Sequence, residues 1–219
     1  MPMNKHPERT VEKILKVSEE LFVTNGYYNT SMQDIIDGLN PDLTKGAIYY
    51  HFKSRDDIFY RIVSDKCMGI YSDIDEIIAR DDLNGKQKFE MVLDTGGTSK
   101  GQEELFKFYS AVNPKDGSGQ SIIVAYAIKF AEVEIIPRLK LILREGSKDG
   151  SVKCKYPNEM AELIGYLATV WLSGKMGLVE TDVYMRKLNF LDKLFRQYGV
   201  ELISDEAKAI YVKAVAKNS

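Results

Sequence analysis

The sequence predicts an all-α fold. Apolar residues recur three and four positions apart along most of the 219 residues, as on one face of a helix. Residues that begin and end helices stand between these apolar stripes, with serine or threonine before a stripe and glycine or proline after it. Only residues 152–156 offer a short strand, and no segment nearby offers it a partner.

The first two predicted helices are fixed by their end signals. An apolar stripe from Val11 to Phe22 predicts the first helix, and Gly26 stands where a helix C-cap takes a positive φ. Thr30 is predicted to cap the second helix, with Gln33 completing a capping box. The breakers at 38–41 keep this second helix short.

Two more caps predict a short helix followed by a long one. Thr44 is placed to cap a third helix that runs through His51. Ser54 caps a fourth, with Asp57 as its box partner. The apolar stripe of this fourth helix continues for about six turns, so residues 56–79 should span about 36 Å.

The rest of the chain also predicts helices, separated by turn-rich breaks. The breaks fall at residues 82–85, 96–99, 113–119 and 146–157. The predicted helices cover residues 86–94, 102–112, 121–136, 158–173, 182–198 and 204–217. Segment 121–136 is apolar on most sides and is predicted to be the central buried helix, while Pro137 either starts a new helix or kinks this one.

Composition excludes several classes of protein. A net charge of −2 excludes a histone-like polycation, and 44% hydrophobic with 28% charged residues indicates a globular chain. Only Cys67 and Cys154 are present, which excludes a disulfide scaffold or a cysteine-rich zinc module and indicates a reducing compartment. Residues 1–8 lack a signal-peptide core, and no apolar run could span a bilayer, so we expect a cytoplasmic protein without a membrane partner.

Residues 10–66 carry the strongest functional signal. Two short helices joined by a tight connector have the layout of a helix-turn-helix. Ala47, Ile48 and Phe52 form the predicted buried side of the second of these helices, and Gly46 would let a DNA backbone come close. The candidate phosphate donors beside them are Lys45, Tyr49, Tyr50, His51, Lys53 and, at the start of the fourth helix, Arg55.

Charge supports this site only locally. Residues 1–66 carry nine Lys or Arg against ten Asp or Glu, yet residues 44–55 carry three cations and no acid. We therefore expect few phosphate contacts per chain and a modest dependence of DNA affinity on salt.

This part of the sequence resembles the TetR family of transcriptional regulators. The residues that carry the resemblance are Leu21-Phe22 with Gly26-Tyr27, Thr30-Ser31-Met32, Asp34-Ile35, Lys45 to Ser54, and Arg55 to Ile58. The resemblance implies a three-helix DNA-binding domain over residues 1–55, an all-helical ligand-binding and dimerisation domain over 56–219, and a homodimer. It also implies that Lys45, Gly46, Tyr49, Tyr50 and His51 contact the major groove, that Thr30, Ser31 and Arg55 hold flanking phosphates, and that Thr44 and Lys53 belong to the same DNA-binding set.

One segment departs from the family pattern. Residues 37–43 make the connection between helices 2 and 3 about two residues longer than the usual compact turn. A longer turn could displace or tilt the recognition helix, and it bears most on Thr44 and Lys45.

The later helices suggest a ligand site and a partner surface. The candidate ligand-binding residues are Ile62, Tyr71, Phe106, Tyr109, Tyr126 and Trp171. Apolar residues spaced four, three and four apart on the helices near the C-terminus indicate a bundle seam, which could be the core of one chain or a dimer interface. The resemblance favours the dimer, with contacts at Ala161, Gly165, Ala168, Leu172, Leu188, Leu191 and Phe195.

The sequence therefore predicts a ligand-responsive regulator, most often a repressor, that binds a palindromic DNA operator as a homodimer and is released by a small-molecule effector. Two alternatives remain open: a ligand-independent DNA-binding protein or activator, and a helical adaptor whose DNA-binding motif is vestigial. An enzyme is not expected, since the sequence offers no nucleophile–base pair, metal cluster or cofactor loop. We accordingly expect neither a cofactor nor a metal.

Overall fold

The computed structural model describes residues 7–98, 108, 111–112, 120–172, 181–200 and 208–209. The regular structure of this part of the chain is helical, with no strand, which confirms the all-α prediction. Its elements are α1 (Pro7–Asn25), α2 (Met32–Leu39), α3 (Lys45–His51), α4 (Arg55–Ile78), α5 (Gly85–Thr98), α6 (Gln120–Phe130), a first π-helical segment (Ala131–Ile135), α7 (Ile136–Asp149), α8 (Pro157–Tyr166), a second π-helical segment (Leu167–Leu172) and α9 (Thr181–Gln197). None of the described helices has the length and apolar character needed to cross a membrane.

The predicted ends of the early helices are largely confirmed. Gly26 has a φ of 82° after α1, and Thr44 accepts a hydrogen bond from the Ala47 amide at 3.2 Å. Ser54 and Asp57 form the reciprocal box at the start of α4, with N–O distances of 3.1 and 3.0 Å.

The cap of α2 lies one residue later than predicted. Ser31, not Thr30, is the N-cap, and Asp34, not Gln33, completes the capping box. Both pairs have the required spacing, but Thr30 is fully buried and its hydroxyl donates to the Gly26 carbonyl at 2.9 Å. Tertiary packing, which the spacing does not encode, decides between the two candidates.

Two other predictions are corrected. Helix α5 continues through the expected break at residues 96–98, since glycine in a helix costs only about 1 kcal/mol and need not end it. Segment 121–136 is not buried all round, because Ile128 and Lys129 are exposed. Residues 151–156 form an irregular connection, in agreement with the lack of a strand partner for them in the sequence. The predicted helices at 102–112 and 204–217 lie mostly outside the described residues.

Pro137 lies in the first turn of α7, directly after the first π-helical segment. Proline has no amide hydrogen to donate to the preceding turn, and a π-helical turn is one way for a helix to continue past such a defect. The sequence left open whether Pro137 starts or kinks a helix. In the structure α6, the π-helical segment and α7 follow one another without an intervening loop.

The chain divides into two compact units. The first contains residues 1–67 and 107–121, and the second contains residues 68–106 and 122–219. In the first unit Phe22, Tyr27 and Phe59 pack their rings together, with centroids 5.0 to 5.8 Å apart. Helices α1, α2 and α3 each contribute one fully buried isoleucine to the core of this unit: Ile14, Ile35 and Ile48.

The core of the second unit is formed by side chains from α5, α7, α8 and α9. Gly85 and Gly146 let two helices approach so closely that a Cβ on Gly85 would overlap the Gly146 backbone. Lys88 is buried here as well. Its ammonium donates to both oxygens of Glu145 at 2.7 and 2.8 Å and to the Ile78 carbonyl at 3.0 Å.

The residues predicted to contact a partner chain lie in this core instead. All but one are buried within the single chain, and Ala168 is half-buried; the set is Ala161, Gly165, Ala168, Leu172, Leu188, Leu191 and Phe195. A Cβ on Gly165 would stand 2.5 Å from Ile136 Cγ1, so even its bare face is covered by the same chain. The assignment of these residues to a partner surface is therefore corrected, because apolar spacing marks a buried face without saying what buries it.

Candidate nucleic-acid interface

The connection between α2 and α3 is ordered in spite of its length. The Leu43 amide donates to the Leu39 carbonyl at 3.0 Å, which continues the turn beyond the end of α2. Asp42 accepts an ion pair from Lys13 on α1. The connection is thus held by its own backbone and by an ion pair with α1, and it leads directly to the N-cap of α3.

Helix α3 presents one buried side and one solvent side. Ile48 is fully buried and Phe52 nearly so, which anchors the helix to the core of the first unit. On the other side Lys45 and Gly46 are exposed, and Tyr50 is 78% exposed. Tyr49 and His51 are half-buried. Helix α3 therefore separates a buried side from an exposed side, although Ala47, which was predicted to be buried, is half-buried.

Gly46 is not required by protein packing. A Cβ at this position would meet no atom within 4 Å. Because Gly46 has no side chain, its backbone is accessible on the exposed side of α3, where a DNA base edge or phosphate could approach.

The polar side chains around α3 are held by local contacts. The Lys45 ammonium lies 5.9 Å from the Tyr49 ring centroid, and Lys53 Nζ donates to the Tyr49 carbonyl at 2.8 Å near the C-terminal end of the helix. The Tyr50 and His51 rings meet edge to face at 5.1 Å. These contacts keep both lysine side chains close to α3, which carries the exposed Tyr50.

The Ser31 end of α2 is already occupied by a carboxylate. Asp34 Oδ2 accepts from the Ser31 amide and the Ser31 hydroxyl, both at 2.7 Å. These two hydrogen bonds hold the pKa of the Asp34 carboxyl below its ordinary value. Thr30, the residue before, is buried and turned inward, so its hydroxyl is not available to a phosphate in this arrangement.

Arg55 is also turned toward the protein. Its Nη1 donates to the carbonyls of Tyr27, Tyr28 and Thr30 at 3.2, 3.3 and 2.8 Å. Beside it, the Tyr27 hydroxyl donates to Asp56, and burial together with this contact raises the pKa of Tyr27. Arg55 is predicted from the sequence to hold a DNA phosphate, and its contacts with these three carbonyls were not predicted.

The candidate ligand residues do not all come together. Tyr71 and Tyr126 each pack against Phe130 in the second unit, at 5.6 and 5.7 Å between ring centroids. Ile62 is buried within the first unit, and Trp171 packs against Phe190 at 6.1 Å. Phe106 and Tyr109 lie outside the described residues.

Neither Phe130 nor Arg138 is among the six ligand-binding residues predicted from the sequence. The spacing of four between Tyr126 and Phe130 on one helix could have indicated Phe130. Arg138 lies with its guanidinium 5.0 Å from the Tyr71 ring centroid and pairs with Asp75 at 2.7 Å. Asp75 is 63 positions away in sequence, so no local pattern could have indicated the pair. Among the described residues no cluster of His, Cys, Asp and Glu could hold a metal ion.

The comparison with known families identifies the N-terminal part. The family model of bacterial regulatory proteins of the TetR family matches residues 14–62, which contain α2, α3 and most of α1. The N-terminal part of the chain is a TetR-family domain. The exposed side of α3 lies within this matched part.

The similarity to known proteins lies in the sequence of the N-terminal part and in the fold. It is 40% identical over 53 residues to the HTH-type transcriptional regulator QacR of Staphylococcus aureus; the match covers 24% of this chain and about a quarter, 27%, of QacR. A TetR-family regulatory protein from Rhodococcus RHA1 is similar in structure, with a TM-score of 0.54, 16% identity, and coverage of 88% of this chain and 98% of the other. The structure of RolR without ligand gives a TM-score of 0.52 at 15% identity, covering 91% and 95%. At these identities the likeness concerns the fold alone.

Proposed function

We propose that the protein is a ligand-responsive repressor that binds a palindromic DNA operator as a homodimer. The observation that carries this proposal is the division of α3 into a buried side, anchored by Ile48 and Phe52, and an exposed side bearing Lys45, Gly46 and Tyr50. A helix that reads the major groove needs exposed side chains that can contact bases and phosphates. The exposed face of α3 offers basic and aromatic side chains beside a glycine whose backbone DNA could approach.

Each exposed group of α3 has a chemical role in this proposal. Lys45, in the first turn of the helix, would reach a base edge or phosphate, and Tyr50 would pack against the sugar–phosphate backbone or donate to it. Lys53, held at the far end of α3, would contact a flanking phosphate. These few cations per chain support the modest salt dependence expected from the sequence.

Exposed apolar residues support a homodimer. Leu163 and Tyr166 on α8 are 40% and 37% exposed, and Phe190 on α9 is 57% exposed, although both helices also contribute to the core of the second unit. Burial of such residues against a second copy would remove apolar surface from water. A twofold dimer then requires operator half-sites about 34–36 Å apart, or a multiple of this distance.

The effector would bind beside the aromatic cluster of Tyr71, Phe130 and Tyr126. Helix α4 carries Arg55 at its start and Tyr71 in its second half. An effector that favours a different position of the Tyr71 part of α4 would thus favour a different position of the helix start, and α3 would lose its match to the operator. Ile62 and Trp171 remain further candidates for effector contacts.

The DNA-binding proposal is tested by selecting duplexes from a random library with the wild-type protein and measuring their affinity. We expect a palindromic consensus and a large loss of affinity in Lys45→Ala and Tyr49→Ala. Lys148→Ala, which removes an exposed lysine from α7 in the second unit, is the matched control and should bind as wild type does. Selection of no duplex, or equal affinity in all four proteins, would favour the adaptor alternative.

The effector proposal needs its own measurement. Small aromatic molecules are screened for a rise in the melting temperature of the protein, and each hit is added to the protein–duplex complex. A hit should release the selected duplex, and Tyr126→Ala should lower its effect on both measurements. Hits that stabilise the protein without changing DNA affinity would argue for a ligand-independent regulator.

A further inference from the structure

We propose that Arg55 is a positioning residue that locks the α1–α2 turn to the start of α4 and thereby sets the orientation of the helix-turn-helix. The inference rests on the proposed DNA-binding function and changes the role of one residue within it. A residue that contacts a DNA phosphate would act by its charge, whereas the role proposed for Arg55 depends on the shape of its guanidinium.

The hydrogen bonds of Arg55 converge on one turn. All three carbonyls that accept from Nη1, those of Tyr27, Tyr28 and Thr30, lie between the end of α1 at Asn25 and the start of α2. These carbonyls lie outside both helices, and that of Tyr27 also accepts from the Thr30 amide at 3.3 Å. Arg55 donates to all three from 25 to 28 positions away in sequence.

Two aromatic rings lie close to the same guanidinium. Its central carbon lies 4.5 Å from the Tyr27 ring centroid and 5.8 Å from the Tyr28 centroid, and the Arg55 side chain is 28% exposed. A planar guanidinium can stack on a ring while donating in its own plane, which a lysine ammonium cannot do.

The turn that Arg55 holds is directly attached to α2. Thr30 precedes the N-cap Ser31, and its hydroxyl donates to the carbonyls of Gly26 and Leu21 at 2.9 and 3.3 Å. Residues 26–30 are thus held from the α4 side by Arg55 and from the α1 side by Thr30. A shift of this turn would move the first residue of α2, and with it the connection to α3.

Three proteins separate the charge of Arg55 from its shape. Arg55→Lys keeps the positive charge that a phosphate contact would need, but it loses the planar guanidinium that donates to the three carbonyls and lies beside the two rings. Arg55→Gln loses the charge as well. Lys45→Gln is the reference for loss of an exposed cation on the recognition helix. Circular dichroism at the assay temperature establishes that each variant is folded.

The first readout is the affinity for the highest-affinity duplex that the wild-type protein selects, compared with a scrambled duplex of the same composition, across a series of salt concentrations. Arg55→Lys should bind the selected duplex about tenfold more weakly, because hydrogen bonds from a charged donor are lost. Its affinity for the scrambled duplex should change less than about twofold. If the substitution only reduced the fraction of folded protein, the apparent affinities for the selected and the scrambled duplex would fall in proportion.

The slope of log affinity against log salt gives the second readout. It should be unchanged in both Arg55 variants, whereas Lys45→Gln should reduce it by roughly 0.9 if that lysine contacts one phosphate. The positioning role is overturned if Arg55→Lys binds like wild type, or if Arg55→Gln reduces the slope as Lys45→Gln does.

Amide hydrogen exchange without DNA provides a readout that does not depend on the proposed function. In Arg55→Lys, exchange over residues 28–39 should become at least about tenfold faster, while α7 exchanges as in wild type. Unchanged exchange over residues 28–39 would overturn the inference even if DNA binding is found. Selection of no duplex by the wild-type protein would overturn the proposed function instead, and exchange would still report whether Arg55 holds the turn.

Discussion

The helix caps of the first unit and the contacts between α5 and α7 in the second unit act over different distances in sequence. In the first unit the caps join residues three apart, as in Ser31 with Asp34 and Ser54 with Asp57. In the second unit α5 is joined to distant residues of α7: Lys88 donates to Glu145 across 57 positions, and the Gly85 amide donates to Asp149 across 64. The starts of α2 and α4 are therefore specified by local sequence, whereas the core of the second unit depends on packing between distant segments.

The same contrast holds for glycine. Gly46 on α3 has open space where a Cβ would stand, whereas Gly85 at the start of α5 lies against the backbone of α7. The fold thus does not require glycine at position 46, but it does require glycine at position 85. Four predictions test how far this difference between the units extends.

The largest expected effect is at the close approach of α5 and α7. Gly85→Ala should lower the free energy of unfolding by about 3 kcal/mol, because the added Cβ meets backbone that cannot rotate away. Urea unfolding monitored by circular dichroism measures the change. A stability equal to wild type would mean that α5 and α7 separate at little cost, and that the close packing is not what holds them.

Removal of the buried ammonium should have the next largest effect. Lys88→Met leaves Glu145 and the Ile78 carbonyl without their donor and should cost about 2 kcal/mol, toward the low end for a broken buried pair because Glu145 is 40% exposed. Lys13→Met is the control, since its pair with Asp42 is exposed on both sides and should be worth less than about 1 kcal/mol. Similar losses of stability in both variants would contradict the distinction between the buried lysine of the second unit and the exposed lysine of the first.

At Gly46 stability and DNA binding should change in opposite directions. Gly46→Ala should raise the free energy of unfolding by about 0.5–1 kcal/mol, because alanine is the better helix former and meets no neighbour. The affinity for the selected duplex should fall, because the new methyl group stands where DNA would approach. Unchanged or tighter DNA binding would show that the exposed backbone of α3 does not lie against DNA.

The smallest effect concerns the α2 cap and its dependence on pH. The pKa of Asp34 is held below its ordinary value by Ser31, so the contribution of the cap is fully present above the ordinary pKa of 3.8 and is lost as the pH falls through the lowered pKa. The stability difference between wild type and Asp34→Asn should therefore shrink on acidification. Ser31→Ala should behave similarly, and adding Asp34→Asn to it should cost little more. Independent, additive losses would mean that the two residues do not act as one cap.

These differences explain how much the sequence could predict. The caps at Thr44 and Ser54, the C-cap at Gly26 and the length of α4 could be predicted because each depends on residues within a turn or on one continuous stripe. The cap of α2 was misplaced by one residue because Thr30 and Ser31 both have a suitable partner three positions later, and only burial of Thr30 decides between them.

Other features could not be predicted because they depend on distant segments. The four-three-four spacing at Ala161 and Gly165 indicates a buried face equally well whether the same chain or a partner covers it. Arg55 has the sequence context of a phosphate ligand, and its actual acceptors are backbone carbonyls 25 to 28 positions earlier. The identity of a carbonyl acceptor leaves no trace in the sequence, since every residue has one.

The two π-helical segments have a consequence for aligning this chain with its relatives. A π-helical turn holds one more residue than an α-helical turn, so a relative with a regular α-helix at residues 131–135 or 167–172 would be one residue shorter at that point. Aligning the two without a gap would shift every later position in the helix by one and place core residues opposite surface residues. A correct alignment of α7 therefore needs a single-residue gap inside what looks like an unbroken helix.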